Sequence, residues 1–298
     1  MRKNVEFMEY LSKRIEYVNL MLKKVLPNDN SIISKSMRYS VLSGGKRLRP
    51  IFVILAAEFF GANVRDVIHA ACAVEYMHTY SLVHDDLPAM DNDDLRRGVL
   101  ANHKKFGEAS AILCGDALLT ESFNLITKSK SSEKNINEAI RILADYGGYK
   151  CMIAGQAEDT IQTELLNRDN KILFKEKLML IYIKKTAALI IASLKIGAIL
   201  ANANKKILKI FENYGRNIGI AFQITDDILD LYADKKLLCE KGSDIKNNKL
   251  TILSLYTKHE AEEKVKKYIK KAKRAVVSLG DKSEIFIELA DYITNRTY

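Results

Sequence analysis

Apolar residues recur at steps of three and four along most of the chain. The spacing predicts helices over 5–25, 31–43, 51–60, 66–84, 109–127, 136–164, 172–203, 205–232 and 251–278. No run alternates in the manner of a strand, and no hairpin signal stands out. Polar or Gly/Pro-containing connections fall at Pro27–Asn30, Gly61–Asn63, Pro88–Gly107, Lys128–Asn135, Asn167–Asn170 and Asp234–Lys249. None resembles an interdomain linker and no solenoid repeat is present, so a single all-α domain over 1–298 is expected. Only Pro27, Pro50 and Pro88 interrupt 298 residues, which permits long helices. The most apolar stretch, Ala187–Ala203, is short for a membrane span and broken by Lys195. It reads as a core helix, and no stable membrane insertion is expected.

Charge narrows the partners. The net charge of +10 favours anions: nucleic acid, lipid headgroups or phosphorylated metabolites. No nucleic-acid motif or aromatic-interleaved basic patch supports the first, so no nucleic acid is expected. The basic amphipathic stretch 258–274 has a narrow apolar stripe and reads as a solvated face over a core contact. Cys72, Cys114, Cys151 and Cys239 form no CxxC pair and suit a reducing, cytoplasmic setting. The N-terminal residues lack an uninterrupted apolar run, so no cleaved signal is expected.

Two acidic clusters carry the chemistry. In HDDLPAMDNDDLRRG, His84–Gly98, Asp85 and Asp86 end a helix that Pro88 must stop. The helix dipole and mutual repulsion both oppose ionised carboxylates there, so a cation is needed nearby. An all-oxygen set favours Mg²⁺ or Ca²⁺ over zinc, and the absence of EF-hand spacing disfavours calcium. In AFQITDDILDLY, Ala221–Tyr232, Gln223, Asp226, Asp227 and Asp230 share one helical stripe on an otherwise apolar segment. Such a stripe belongs at a cleft with cationic partners. Two facing carboxylate clusters suit Mg²⁺ shared with a diphosphate, because Mg²⁺ prefers few carboxylates plus phosphate oxygens and water. GGKRLRP, Gly44–Pro50, supplies Lys46, Arg47 and Arg49 without P-loop spacing. His78 lies seven residues before Asp85, on the same face. Gln156 and Asp159, and then Lys185 and Thr186, interrupt apolar helices.

These segments, with KFGEASAILCGDALL, GQAED, KKTAALI and the terminal Ile293-Thr294-Asn295-Arg296, resemble in order the trans-prenyltransferase (polyprenyl diphosphate synthase) family. The resemblance runs from about residue 30 to the C-terminus. The four residues between Asp86 and Asp91 are similar to the bacterial and plastid branch. It implies an all-α, isoprenoid-synthase-type helical bundle around a deep central cavity, and a homodimer. Lys46, Arg49 and His78, with Arg97, match the isopentenyl diphosphate site. Asp85, Asp91 and Asp226 match the magnesium ligands, with roughly three ions once diphosphate is bound. Arg96 matches a contact to the allylic diphosphate and Lys249 a basic contact to the leaving group. Lys185, Thr186 and Gln223 match groups beside the reacting allylic carbon. Where the family has Lys-Pro-Thr, this chain has Val99-Leu100-Ala101; Ala154 replaces a glycine before Gly155, and Asn248 another before Lys249.

The implied reaction condenses isopentenyl diphosphate with dimethylallyl or geranyl diphosphate. Tyr80, five residues before Asp85 and about 7–8 Å down the helix, is similar to a cavity floor that stops growth at farnesyl diphosphate. Geranylgeranyl diphosphate is the alternative product. A terpene cyclase is disfavoured by Asp226-Asp227-Ile-Leu-Asp230, and a noncatalytic subunit by carboxylates in both clusters.

Overall fold

The structure, a computed structural model, describes residues 2–160, 171–232 and 251–294. Nearly all of them are helical. Lys249, Asn248, Cys239, Asn295 and Arg296 lie outside the described residues. The backbone packs into two compact units, Met1–Leu143 with Lys195–Ala203, and Ala144–Leu194 with Asn204–Tyr298.

The first unit holds α1 (Arg2–Val25), α2 (Ile32–Leu42), α3 (Leu48–Phe59), α4 (Val64–Asp85), α5 (Asn102–Phe106), α6 (Glu108–Thr127) and the start of α7 (Glu133–Gly147). Every residue of α3 from Pro50 to Ala57 is buried, as an all-round apolar helix must be. Helix α4 packs against α3 and α6. The end of α10 (Ala188–Leu200) approaches α3 at Gly197, where a Cβ would meet the Val53 carbonyl oxygen at 2.1 Å.

The interior of this unit contains charge that periodicity did not reveal. Arg47 sits in the left-handed region (φ 51°) just before α3 and is 3% exposed. Its Nη1 donates to Glu75 Oε1 at 2.6 Å, its Nη2 to the Val41 carbonyl at 2.7 Å, and its Nε to Asn19 Oδ1 at 2.9 Å. Glu75, in the middle of α4, is 2% exposed. Arg47 therefore fastens the GGKRLRP turn to α4, whereas the sequence counted it with Lys46 and Arg49 among the basic groups supplied to the site.

The connection 88–107 also departs from expectation. Leu95–Arg96 and Val99–Leu100 form a two-residue antiparallel pair, β1 and β2. Arg97 (φ 54°) and Gly98 (φ 77°) turn the chain between them, both with the positive φ of a tight hairpin. Val99 and Leu100, two of the three residues at which the sequence departs from the pattern it resembles, thus supply the second strand.

The second unit comprises α8 (Met152–Thr160), α9 (Lys171–Ile181), a π-helical segment (Tyr182–Ala187), the start of α10, α11 (Lys205–Tyr232), a 3₁₀ turn (Ile252–Ser254), α12 (Lys258–Val277) and α13 (Glu284–Thr294). The stretch read as one helix over 172–203 is continuous but carries this π insertion. The helix read over 251–278 begins at Lys258, capped by Thr257 and Glu260 in a reciprocal box. Tyr214 donates to the Phe286 carbonyl at 2.6 Å and, with Phe211, packs its ring on Phe286, which fixes α13 to α11.

Candidate active site

In the first unit, α4 ends at Asp85 with Asp86 as its cap, and Leu87-Pro88 turns the chain away. The Asp91 amide donates back to the Asp85 carbonyl at 2.8 Å. That bond closes the turn over the four residues between Asp86 and Asp91 and holds the two residues expected to ligate metal close together. Both are partly exposed. Asp86 differs: it is 2% exposed and accepts from Arg96 Nε at 2.8 Å and from Arg96 Nη2. Burial pushes the Asp86 carboxyl up to about 7, against the pull of Arg96. Arg96 Nη2 also reaches Asp93 at 3.1 Å. Arg96 is thereby oriented by two carboxylates, which the sequence did not indicate.

Arg97 donates from Nη1 to the Gly44 carbonyl at 2.6 Å. Its guanidinium lies where a Cβ on Gly45 would sit, 2.9 Å from the Arg97 Cζ, and Gly45 also adopts φ +118°. The glycine pair thus serves as a close seat for Arg97. Lys46 is exposed and Arg49 partly buried in the first turn of α3. Desolvation, then Arg49, Arg97, Arg47 and Arg96, hold the His78 imidazole well below its usual range. His78 therefore lies in a buried, cationic neighbourhood that disfavours its protonation. Arg49, His78, Arg96 and Arg97, expected to serve diphosphates, are brought within electrostatic reach of one another.

In the second unit, the π segment is clamped by glycines. A Cβ on Gly155 of α8 would meet the Lys185 nitrogen at 2.4 Å, and one on Gly219 of α11 would meet Ala187 Cα at 2.4 Å. Lys185 Nζ donates to Asp159 Oδ2 at 2.6 Å, with Asp159 buried. Thr186 Oγ1 donates to Gln223 Oε1 at 2.6 Å, and Gln223 Nε2 donates to Asp227 Oδ1 at 3.0 Å. Asp227 is 3% exposed and further accepts from the Tyr182 hydroxyl and from the Ile252 amide at 2.8 Å. Asp227 and Tyr182 were missed as positioning groups. The step of four from Gln223 to Asp227 was legible; Tyr182 carried no signal because it reads as one more apolar position. Asp226 and Asp230 remain partly exposed on the same helix.

Gly155→Ala is expected to cost about 1–3 kcal/mol, because its methyl must displace the backbone of the π segment. Thermal melting of the variant checks this, and turnover should fall with it as Lys185 and Thr186 shift.

Both clusters are oxygen-only donor sets at partly exposed positions, which suits Mg²⁺ rather than a softer ion. Among the described residues, no group of three His, Cys, Asp or Glu side chains is poised to hold an ion alone.

The sequence profile of the polyprenyl synthetase family matches residues 30–286. A farnesyl diphosphate synthase of Bacillus subtilis is 42% identical over 270 residues, covering 89% of each chain. Geranylgeranyl pyrophosphate synthase 4 of Arabidopsis thaliana is 40% identical over 300 residues, covering 98% of this chain and 79% of its own. A geranyltransferase of Helicobacter pylori, solved in complex with magnesium and isoprenyl diphosphate, superposes with a TM-score of 0.82 at 29% identity, with 97% of this chain and 96% of that chain covered. The ordered motifs, the all-helical fold and these likenesses agree: this chain belongs to the polyprenyl synthetase family of prenyltransferases.

Proposed function

We propose that the chain is a short-chain trans-prenyl diphosphate synthase that condenses isopentenyl diphosphate with dimethylallyl and then geranyl diphosphate, ending at farnesyl diphosphate. The observation that carries this reading is the Thr186–Gln223–Asp227 chain of hydrogen bonds in the second unit; the Asp85–Asp91 carboxylate turn, within the first unit, supports it by itself. Asp85 and Asp91 in the first unit, and Asp226 in the second, would each serve as Mg²⁺ ligands, and Mg²⁺ would supply charge neutralisation to a diphosphate leaving group. Lys46, Arg49, Arg97 and His78 bind and orient isopentenyl diphosphate; Arg96 and Lys249 serve the allylic diphosphate.

The allylic C–O bond breaks and its electron pair leaves with the diphosphate. The isopentenyl double bond attacks the allylic carbon, and the new cation loses a proton to the released diphosphate. Thr186 spends its only proton on Gln223, so its oxygen presents lone pairs, which suits a group beside a carbocation. Gln223 is held at both ends of its amide, so its dipole is fixed in advance.

Tyr80 supports the farnesyl product. It is 5% exposed and packs edge-to-face on His84 at 5.8 Å, a bulky buried ring about one and a half turns before Asp85. Chromatography of products made from dimethylallyl and isopentenyl diphosphates should show farnesyl diphosphate as the end point. Tyr80→Ala should lengthen the product to geranylgeranyl diphosphate or beyond; an unchanged chromatogram would remove Tyr80 as the floor.

We further propose a homodimer working in the cytoplasm. Ile112 and Leu113 of α6 are 45% and 55% exposed, an apolar pair suited to a second copy. Cys72 and Cys114 are buried free thiols, as a reducing compartment allows.

A further inference from the structure

Helices α11 and α12 leave an open groove of about 460 Å³ in the second unit. Asn213, Arg216 and Asn217 line it from α11, at steps of three and four. Tyr268, Lys271 and Arg274 line it from α12, at steps of three. Both helices therefore turn a polar, cationic stripe toward one concavity. Ile220 closes it on α11 and is 3% exposed. Arg216 lies ten residues before Asp226, about 15 Å along the helix, so the groove is separate from the carboxylate stripe.

Among the described residues no carboxylate lines the groove. Elsewhere on α12, Lys266 pairs with Glu263 at 2.7 Å and Lys273 with Asp291 at 2.5 Å. Arg216 and Arg274 make no such pair among the described residues, and Lys271 leans over the Tyr268 ring at 5.2 Å. Solvated lysines on one helix diverge; here three cations from two helices converge. The amides add donors. Asn217 is 6% exposed and gives its Nδ2 to the Asn213 carbonyl at 2.7 Å and to Asn213 Oδ1 at 3.0 Å. With its oxygen so occupied, Asn213 retains its Nδ2 as a donor at the groove.

We propose that this groove is a second, non-catalytic site for a diphosphate group, held by Arg216, Lys271 and Arg274 with Asn213 as an added donor. Two guanidinium forks and an ammonium on opposite walls suit an anion with several acceptor oxygens spread over two phosphoryl groups. The choice of diphosphate over other phosphoanions rests on the reaction proposed above, which consumes and releases that group. The group comes either from free inorganic diphosphate or from a prenyl diphosphate product, whose chain would lie along Tyr268 and Ile220.

The test is acylation footprinting of the whole protein in EDTA, read by mass spectrometry. Inorganic diphosphate, inorganic phosphate and farnesyl diphosphate are used in separate arms. Diphosphate should slow acylation of Lys271 roughly tenfold, as expected of an ammonium held in charge-assisted hydrogen bonds. Lys267 and Lys270 on the same helix should be unaffected. An Arg216→Gln/Arg274→Gln variant should lose the protection and keep wild-type prenyl transfer. Protection by inorganic diphosphate identifies the free anion as sufficient; protection by farnesyl diphosphate alone identifies the product as the source. Lack of protection in both arms, equal protection by phosphate, or protection that survives in the double variant would overturn the site. Loss of the prenyl transfer reading would instead appear as absent turnover with the footprint unchanged.

Discussion

Arg47→Met is expected to destabilise the protein by about 3–5 kcal/mol, seen as a melting temperature lower by roughly 10 °C. The reason is the environment of Glu75. It is 2% exposed and takes Arg47 Nη1 at 2.6 Å, with Arg97 Nη2 standing off at 3.8 Å. Methionine keeps much of the arginine's bulk but leaves the buried carboxylate with only the longer Arg97 ion pair, whose Nη1 is already given to the Gly44 carbonyl. The Val41 carbonyl loses its donor as well. The cost belongs to the stranded charge more than to the pair, so Arg47→Met/Glu75→Leu should recover most of the loss. A single variant that melts within about 1 °C of the wild type would show that Glu75 is neutral or solvated.

Asp85→Ala should act in the opposite sense on the two observables. Turnover should fall by about 10²–10³-fold, the range for removing one electrostatic stabiliser of a developing anion. Stability should hold, or rise by about 0.3–1 kcal/mol, because Asp85 is partly exposed at the C-terminal end of α4, where the dipole opposes a carboxylate. Asp86→Ala gives the contrast. Asp86 is buried on Arg96, so its loss should lower stability as well as activity. Paired melting and steady-state rates on both variants separate a residue kept for chemistry from one kept to orient an arginine. Unchanged turnover in Asp85→Ala would take Asp85 out of the metal site.

The sequence carried the features set by local rules. Pro88 stops α4 within three residues, and Gln223, Asp226, Asp227 and Asp230 lie along one helix as their spacing required. What escaped depends on long-range pairing. Glu75 falls in a helical pattern where a charged residue reads as solvent-facing, and its burial is made tolerable by Arg47, 28 residues away, with Arg97 as a second, longer ion pair. The β1–β2 hairpin lacks an Asn-Gly signal because Arg97 itself takes the left-handed turn position, seated against the Gly44–Gly45 backbone. The π segment is invisible to periodicity: its extra residue shifts the helical phase without breaking the apolar run. Gly155 and Gly219 are its visible trace, each allowing a backbone approach that a side chain would block.

The same distinction applies to the catalytic groups. Lys185, Thr186 and Gln223 were named through likeness to a family, but their partners come from the fold. Asp159 fixes Lys185, and Asp227 with Tyr182 fixes Gln223. These second partners explain why a helical stripe of four polar residues includes one, Asp227, that faces protein and not solvent.

The most direct test of the central claim is incorporation of labelled isopentenyl diphosphate into longer prenyl diphosphates by the purified protein, with dimethylallyl or geranyl diphosphate as starter. The account predicts Mg²⁺-dependent incorporation with release of one inorganic diphosphate per carbon–carbon bond formed, abolished by EDTA. A folded protein that incorporates no label with any allylic starter in the presence of Mg²⁺ would contradict it.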